Sequence, residues 1–159
     1  MNKTLAAALI SGIVGFAAGN AFWYLASPLW INVTVSESAP TPASAPLKTG
    51  TFRDADSIHR GKETATILDV GSGRRIARLS DFQVTNGPDL KVWLVAKRDI
   101  QSSSDVTASK YVSLGQLKGN IGDQNYEIPA SVDIDDYESI VIWCEQFGVL
   151  FSAADLTKV

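Results

Sequence analysis

The residues able to carry redox or metal chemistry in this chain are few. Cys144 is the only cysteine and His59 the only histidine. A cysteine sulfur is a nucleophile, a redox group and a soft ligand; an imidazole is a ligand and a proton carrier. One of each is too few for an internal disulfide, a four-ligand Cys/His zinc site or an iron–sulfur cluster held by four cysteines. A c-type haem attached through two cysteines is excluded on the same ground, and Met1, the only methionine, leaves none inside a folded domain to ligate haem. Nucleotide-loop, dinucleotide-binding and G-x-S-x-G signatures are absent. Asp133-Ile134-Asp135-Asp136-Tyr137-Glu138 holds four carboxylates in six residues, but the spacing is not that of a calcium loop and reads as a solvated turn. No catalytic constellation and no metal cluster is recognisable.

Cys144 follows Ile140-Val141-Ile142-Trp143. Strand alternation puts Ile140, Ile142 and Cys144 on one face, toward a core. A buried thiol there behaves as a small hydrophobe. The same residue ends its strand beside Glu145-Gln146-Phe147-Gly148, where reactive groups reach solvent. A structural cysteine and a redox thiol both fit, and a thiol mechanism would have to be intermolecular because no second cysteine exists. A third use is haem ligation, with Cys144 as axial thiolate, Trp93, Trp143 and Phe147 lining an apolar slot, and His59 as a weaker candidate for second ligand. His59 sits in the turn Asp54–Gly61, where bonding to local backbone is the simpler role.

The elements that must position these groups follow from composition and pattern. At 159 residues and 17.1 kDa the chain has room for one ordinary domain. Hydrophobic residues at 45% and charged residues at 19% imply a folded core. A net charge of −3 offers no basic field for phosphate backbones, so nucleic acid is not an expected partner.

Three parts are expected. Residues 1–35 form a membrane anchor. Leu5–Leu25 contains Asn20 as its only strongly polar residue and spans about 31 Å as a helix, the thickness of a hydrocarbon core. Phe22, Trp23 and Tyr24 mark its far boundary. Lys3 precedes the span and no positive charge follows until Lys48, which places the amino terminus in the cytoplasm and the rest outside, periplasmic or extracellular. Small residues at Gly19 and Ala21 leave a cleaved signal peptide as the rival reading. Residues 36–48, with Pro40, Pro42 and Pro46, read as a linker reaching about 40 Å as an extended stalk.

Residues 49–159 form the domain, mostly strand. Glu63–Val70 and Arg75–Phe82 flank the turn Gly71-Ser72-Gly73-Arg74 as a hairpin. Leu90–Ala96, Gln124–Ile128, Ser139–Cys144 and Val149–Phe151 are further strands, and Gly50–Phe52 opens the sheet. Short helices are expected around Ser113–Leu117 and Ala153–Leu156. The fold class is all-β: an antiparallel sandwich or barrel-like domain behind a single transmembrane helix and a Pro-rich linker.

The same stretch resembles the DM-thirteen family, a small extracytoplasmic β domain found beside DOMON modules. The resemblance is carried by Gly50-Thr51-Phe52, Ser57-Ile58-His59-Arg60-Gly61 and Leu79-Ser80-Asp81-Phe82. It continues through Asn86-Gly87-Pro88-Asp89-Leu90-Lys91-Val92-Trp93-Leu94, Leu114-Gly115-Gln116-Leu117-Lys118-Gly119-Asn120 and Gly122–Pro129. It ends on Ile140–Phe147 and Phe151–Leu156. The resemblance implies electron transfer, with the family's characteristic cysteine matched by Cys144 as a bare thiol or a haem ligand. No DOMON module is present here, so the redox partner would be a separate chain. A non-catalytic binding or cell-envelope interaction module, with a structural Cys144, is the alternative.

Overall fold

The computed structural model describes residues 2–41 and 45–159. The first element, α1, is a 24-residue helix over Lys3–Ala26. Asn2 caps it, its side chain accepting from the Thr4 amide at 3.3 Å. Lys3–Tyr24 is long and apolar enough to cross a membrane, and none of it is covered by the remainder of the protein. A 3₁₀ turn, Ser27–Leu29, follows directly.

Among the described residues ten strands build the rest: β1 Thr34–Ser36, β2 Ala45–Asp54, β3 Gly61–Asp69, β4 Arg75–Val84, β5 Leu90–Val95, β6 Tyr111–Gln116, β7 Ile121–Ile128, β8 Ser139–Cys144, β9 Val149–Asp155 and β10 Thr157–Lys158. They form one sheet in the order β1-β7-β4-β3-β2-β9-β8-β5-β6, with β10 also on β2. Every pairing is antiparallel except β1 beside β7. The sheet curls into a half-barrel, the barrel-like member of the expected pair. Alternating side chains of β2–β5 and β7–β9 fill the inside of the curl, among them Phe52, Leu79, Phe82, Leu94 and Ile142. Trp93, Val95, Val141 and Trp143, the other face of β5 and β8, pack in a smaller cluster with Ile100 and Val106. Val106 belongs to a five-residue helix, α2 Ser103–Thr107, whose Ser102/Asp105 capping box is its only strong sequence mark.

The hairpin of β3 and β4 forms as expected, with Gly71, Ser72 and Gly73 all at positive φ. Two expected helices do not form. Ser113–Gln116 lies in β6, bonded to β5, and Ala153–Asp155 lies in β9. The end of β9 runs close against β2: a Cβ on Gly50 of β2 would stand 2.3 Å from the Asp155 carbonyl oxygen.

The reading of 36–48 as a free stalk also changes. Ser36 is in β1 and Ala45–Lys48 in β2, while Pro42, Ala43 and Ser44 lie outside the described residues. Glu37 holds the start of the segment down: its carboxylate accepts from the Asn125 amide at 2.6 Å and Lys118 Nζ at 2.7 Å. Its carbonyl accepts from Arg78 at 3.1 Å. A Pro/Ala/Ser composition conceals such polar attachments.

Lys48, expected in the linker, is 5% exposed, and its ammonium donates to the carbonyls of Ile134 at 2.7 Å and Tyr137 at 3.0 Å. Lys48→Ala leaves both without that donor. We expect a loss of about 1–3 kcal/mol, read as a lower urea midpoint at unchanged slope for the full chain in micelles. An unchanged midpoint would show that water replaces the ammonium at no cost.

Candidate functional site

The candidate site is assembled by strand ends. Cys144, the last residue of β8, lies opposite Leu90, the first of β5, and Val149, the first of β9. Gly61 at the start of β3 lies opposite Val84 at the end of β4. Ile121 at the start of β7 lies beside Thr34 at the start of β1. The loops 55–60, 85–89, 117–120 and 145–148 therefore leave the half-barrel at one end. His59-Arg60-Gly61, Asn86-Gly87-Pro88-Asp89, Gly119-Asn120 and the turn after Cys144 share that end, although 89 positions separate His59 from Gly148 in the chain.

Cys144 is a free thiol with no exposed surface. It shares its apolar cluster with Leu90, Ile142 and Phe151. A layer of loop covers the cluster here. A Cβ on Gly87 would lie 2.8 Å from both Phe151 Cζ and Leu90 Cδ2, so the 85–89 loop sits on those side chains only because residue 87 has none. The His59 ring packs against Phe151 with centroids 4.3 Å apart.

His59 is fixed by its own turn. Its Nδ1 is 2.7 Å from Asp56 Oδ2, and Asp56 Oδ1 accepts from the Ile58 and His59 amides, each at 2.7 Å. The hydrogen bond from the His59 ring, joined by the two amides, pulls the Asp56 carboxyl down to about 2. A depressed carboxyl stabilises the folded turn in full above the ordinary aspartate range, near pH 4, and that contribution is lost as pH falls through about 2. The Asp56 carboxyl carbon signal is thus expected to titrate near 2 by NMR, and His59→Ala is expected to return it toward the ordinary value. Titration near 4 in the unaltered chain would contradict the turn geometry.

Ion pairs ring the same end. Lys91 Nζ lies 2.9 Å from Asp89 and 3.6 Å from Glu145, and the hydrogen bond to Asp89 holds the ammonium above its usual range. The Glu145 amide donates to the Asp89 carbonyl at 3.0 Å, tying the loop after Cys144 to the loop before β5. A second set of bonds receives the chain arriving from α1. Asn32 Oδ1 accepts from Asn86 Nδ2 at 3.0 Å and Asn120 Nδ2 at 2.9 Å. Asn120 Oδ1 accepts from the Val33 amide at 2.7 Å. Buried Gln124 accepts from the Lys118 and Gly119 amides, each at 3.2 Å, and from the Tyr126 hydroxyl at 2.7 Å. Burial pushes that phenol well above its usual range. Sequence reading passed over this asparagine set. Asn32-Val33-Thr34 looks like a glycosylation sequon, and only topology brings Asn86 and Asn120 to it.

The residues proposed to line a haem slot do not converge on Cys144. Trp93 and Trp143 belong to the opposite face of the sheet, their centroids 5.3 Å apart, with Trp93 stacked on Tyr111 at 3.9 Å. Phe147 stands 64% exposed on the 145–148 turn. The acidic run lies elsewhere: Asp133 caps a 3₁₀ turn, Asp135 pairs with Lys48 and Lys158, and Asp136 pairs with Lys110.

Neither a curated protein nor a solved structure matches the chain. A family model does: the one described as Electron transfer DM13 matches residues 51–156. That span runs from the last residues of β2 through β9, takes in all four loops of the Cys144 end, and leaves out α1, β1 and β10. On a match over most of its length, the chain belongs to the DM13 electron-transfer family.

Proposed function

We propose that this protein is a membrane-tethered, extracytoplasmic electron-transfer domain whose redox centre is the Cys144 sulfur. The observation that carries the reading is position: the only cysteine of an electron-transfer family member lies one loop layer below the end that His59-Arg60-Gly61, Asn86-Gly87-Pro88-Asp89 and Gly119-Asn120 share. The apolar α1, with Lys3 as its first residue and no further lysine or arginine until Lys48, supports a span with its amino terminus in the cytoplasm.

Burial selects among the chemistries open to a thiol. Thiol–disulfide exchange requires direct attack at sulfur, and Cys144 has neither exposed surface nor a cysteine partner. Electron transfer requires only closeness, so a sulfur beneath a thin loop layer can serve a protein or small acceptor docked on that layer. The thiol then gives one electron to the docked one-electron acceptor and its proton to a base that the acceptor carries, leaving a thiyl radical, and the reverse step restores it. Haem is not part of this reading. Cys144 is sealed in apolar packing, His59 is bonded to Asp56, Trp93 and Trp143 lie across the sheet, and Phe147 faces solvent.

The same burial favours a second reading, in which Cys144 is purely structural and the loop end is a binding surface for another envelope protein. Titration of the full chain in micelles with hexachloroiridate(IV), a one-electron oxidant strong enough for a lone thiol, separates the two. The redox reading expects about one equivalent consumed per chain and none in Cys144→Ala, whose smaller side chain adds no unpartnered polar atom. Equal consumption by both proteins, or none by either, would sink it.

A further inference from the structure

The Cys144 end of the domain also has a defined place relative to α1. The 3₁₀ turn after α1 ends at Leu29, and Asn32 is already bonded to Asn86 and Asn120. Three residue steps cover at most about 11 Å. From Thr34 the chain runs along β7 in parallel, away from that end. Whatever α1 is embedded in therefore lies against the loops 55–60, 85–89, 117–120 and 145–148, not against the far turns of the half-barrel.

Side chains at this end fit a lipid surface. Ile58 is 73% exposed and Phe147 64% exposed, each at the tip of one of these loops. Trp30, Ile31 and Val33 stand exposed on the incoming chain, with the Trp30 ring edge-on to Trp23 at 6.0 Å. Aromatic rings with a polar edge favour the membrane–water boundary. Many charges here are met within the protein: Lys91 pairs with Asp89 and Glu145, Lys118 pairs with Glu37, and the Asp56 carboxylate is bonded to the His59 ring. Apolar contact and the tether, not a basic field, must hold such a face.

We infer that the loop end is seated on the bilayer surface, with Ile58 and Phe147 dipping into the interface of zwitterionic lipid. This seating rests on α1 spanning the membrane and adds to it the orientation of the domain. It places Cys144 next to the bilayer, so its electron partner is reached in the membrane plane.

Nitroxide labels on Ile58→Cys and Phe147→Cys test it in phosphatidylcholine vesicles holding the full chain. Both positions are exposed, so neither change threatens the core, and unaltered protein with its buried Cys144 supplies the background. Collisions with lipid-soluble oxygen are expected to exceed those with a water-soluble nickel chelate at 58 and 147, and the order should reverse at Ala130→Cys on the turn after β7. Phe16→Cys reports on the span itself. Oxygen-dominated collisions at 16 with chelate-dominated collisions at 58 and 147 would overturn the seating and leave the span standing; that result would assign the two side chains to a protein partner. Chelate-dominated collisions at 16 would overturn the span and the seating with it.

Discussion

A thiol reagent added to the native chain is expected to modify Cys144 at least about a thousandfold more slowly than it modifies the chain in denaturant. The magnitude follows from what exposure requires. Cys144 has no accessible surface and sits between β5 and β9, the register partners Leu90 and Val149 closing both sides. Reaching the sulfur means separating the strands or lifting the 85–89 loop from Leu90 and Phe151. Whole-domain opening in a protein of this size costs about 5–15 kcal/mol, and each 1.4 kcal/mol is a factor of ten. Stopped-flow labelling of the full chain in micelles, with and without denaturant, reads the ratio. Intermediate protection would locate an opening smaller than global unfolding, and labelling at the denatured rate would contradict the packing described for this end.

Gly122→Ala is expected to release β1 from the sheet while the rest of the half-barrel stays folded. Gly122 has φ +100, and a Cβ there would stand 2.1 Å from the Val35 carbonyl oxygen. A left-handed backbone costs a non-glycine residue about 1–2 kcal/mol, and forced overpacking about 1–3 kcal/mol more. Against this, β1 holds β7 through three register positions and is exposed at two of them. The strain exceeds what so short an edge strand contributes, so the strand gives way rather than the core. Hydrogen exchange of amides 34–38 should approach unprotected rates, with β3, β4 and β8 protected as before. Exchange unchanged at 34–38 would contradict the docked position of β1. In vesicles the same variant should loosen the orientation of the loop end, because Glu37, Asn32 and Val33 share that attachment.

Much of the fold was legible because its signals are local. Alternation in Leu90–Val95 and Ser139–Cys144 set strand and face, and both faces prove buried, in the two clusters that the alternation separates. The glycine-bearing turn at 71–73 set the β3–β4 hairpin. What failed depends on neighbours distant in sequence. Ala153 and Ala154 look helical in isolation, yet they are held in the sheet by Arg53 and Phe52 of β2 on one side and Val141 and Ile140 of β8 on the other. The segment 36–48 looks like solvated linker because its prolines outweigh two attachments, Glu37 to Lys118 and Lys48 to Ile134, made 81 and 86 residues away. Cys144 and His59 were legible as the only groups of their kind. Their actual surroundings were not, because residue type cannot tell that Trp93 and Trp143 face away from Cys144 or that Asp56 takes the His59 ring. Nothing local in the chain shows that the asparagines at 32, 86 and 120 meet.

The central claim, electron exchange at the Cys144 sulfur of a membrane-tethered domain, is tested most directly by voltammetry of the full chain in an electrode-supported bilayer. A one-electron wave in the unaltered chain, absent from Cys144→Ala and retained in His59→Ala, is the predicted result. A wave of the same size in Cys144→Ala, or no wave in the unaltered chain, would contradict it.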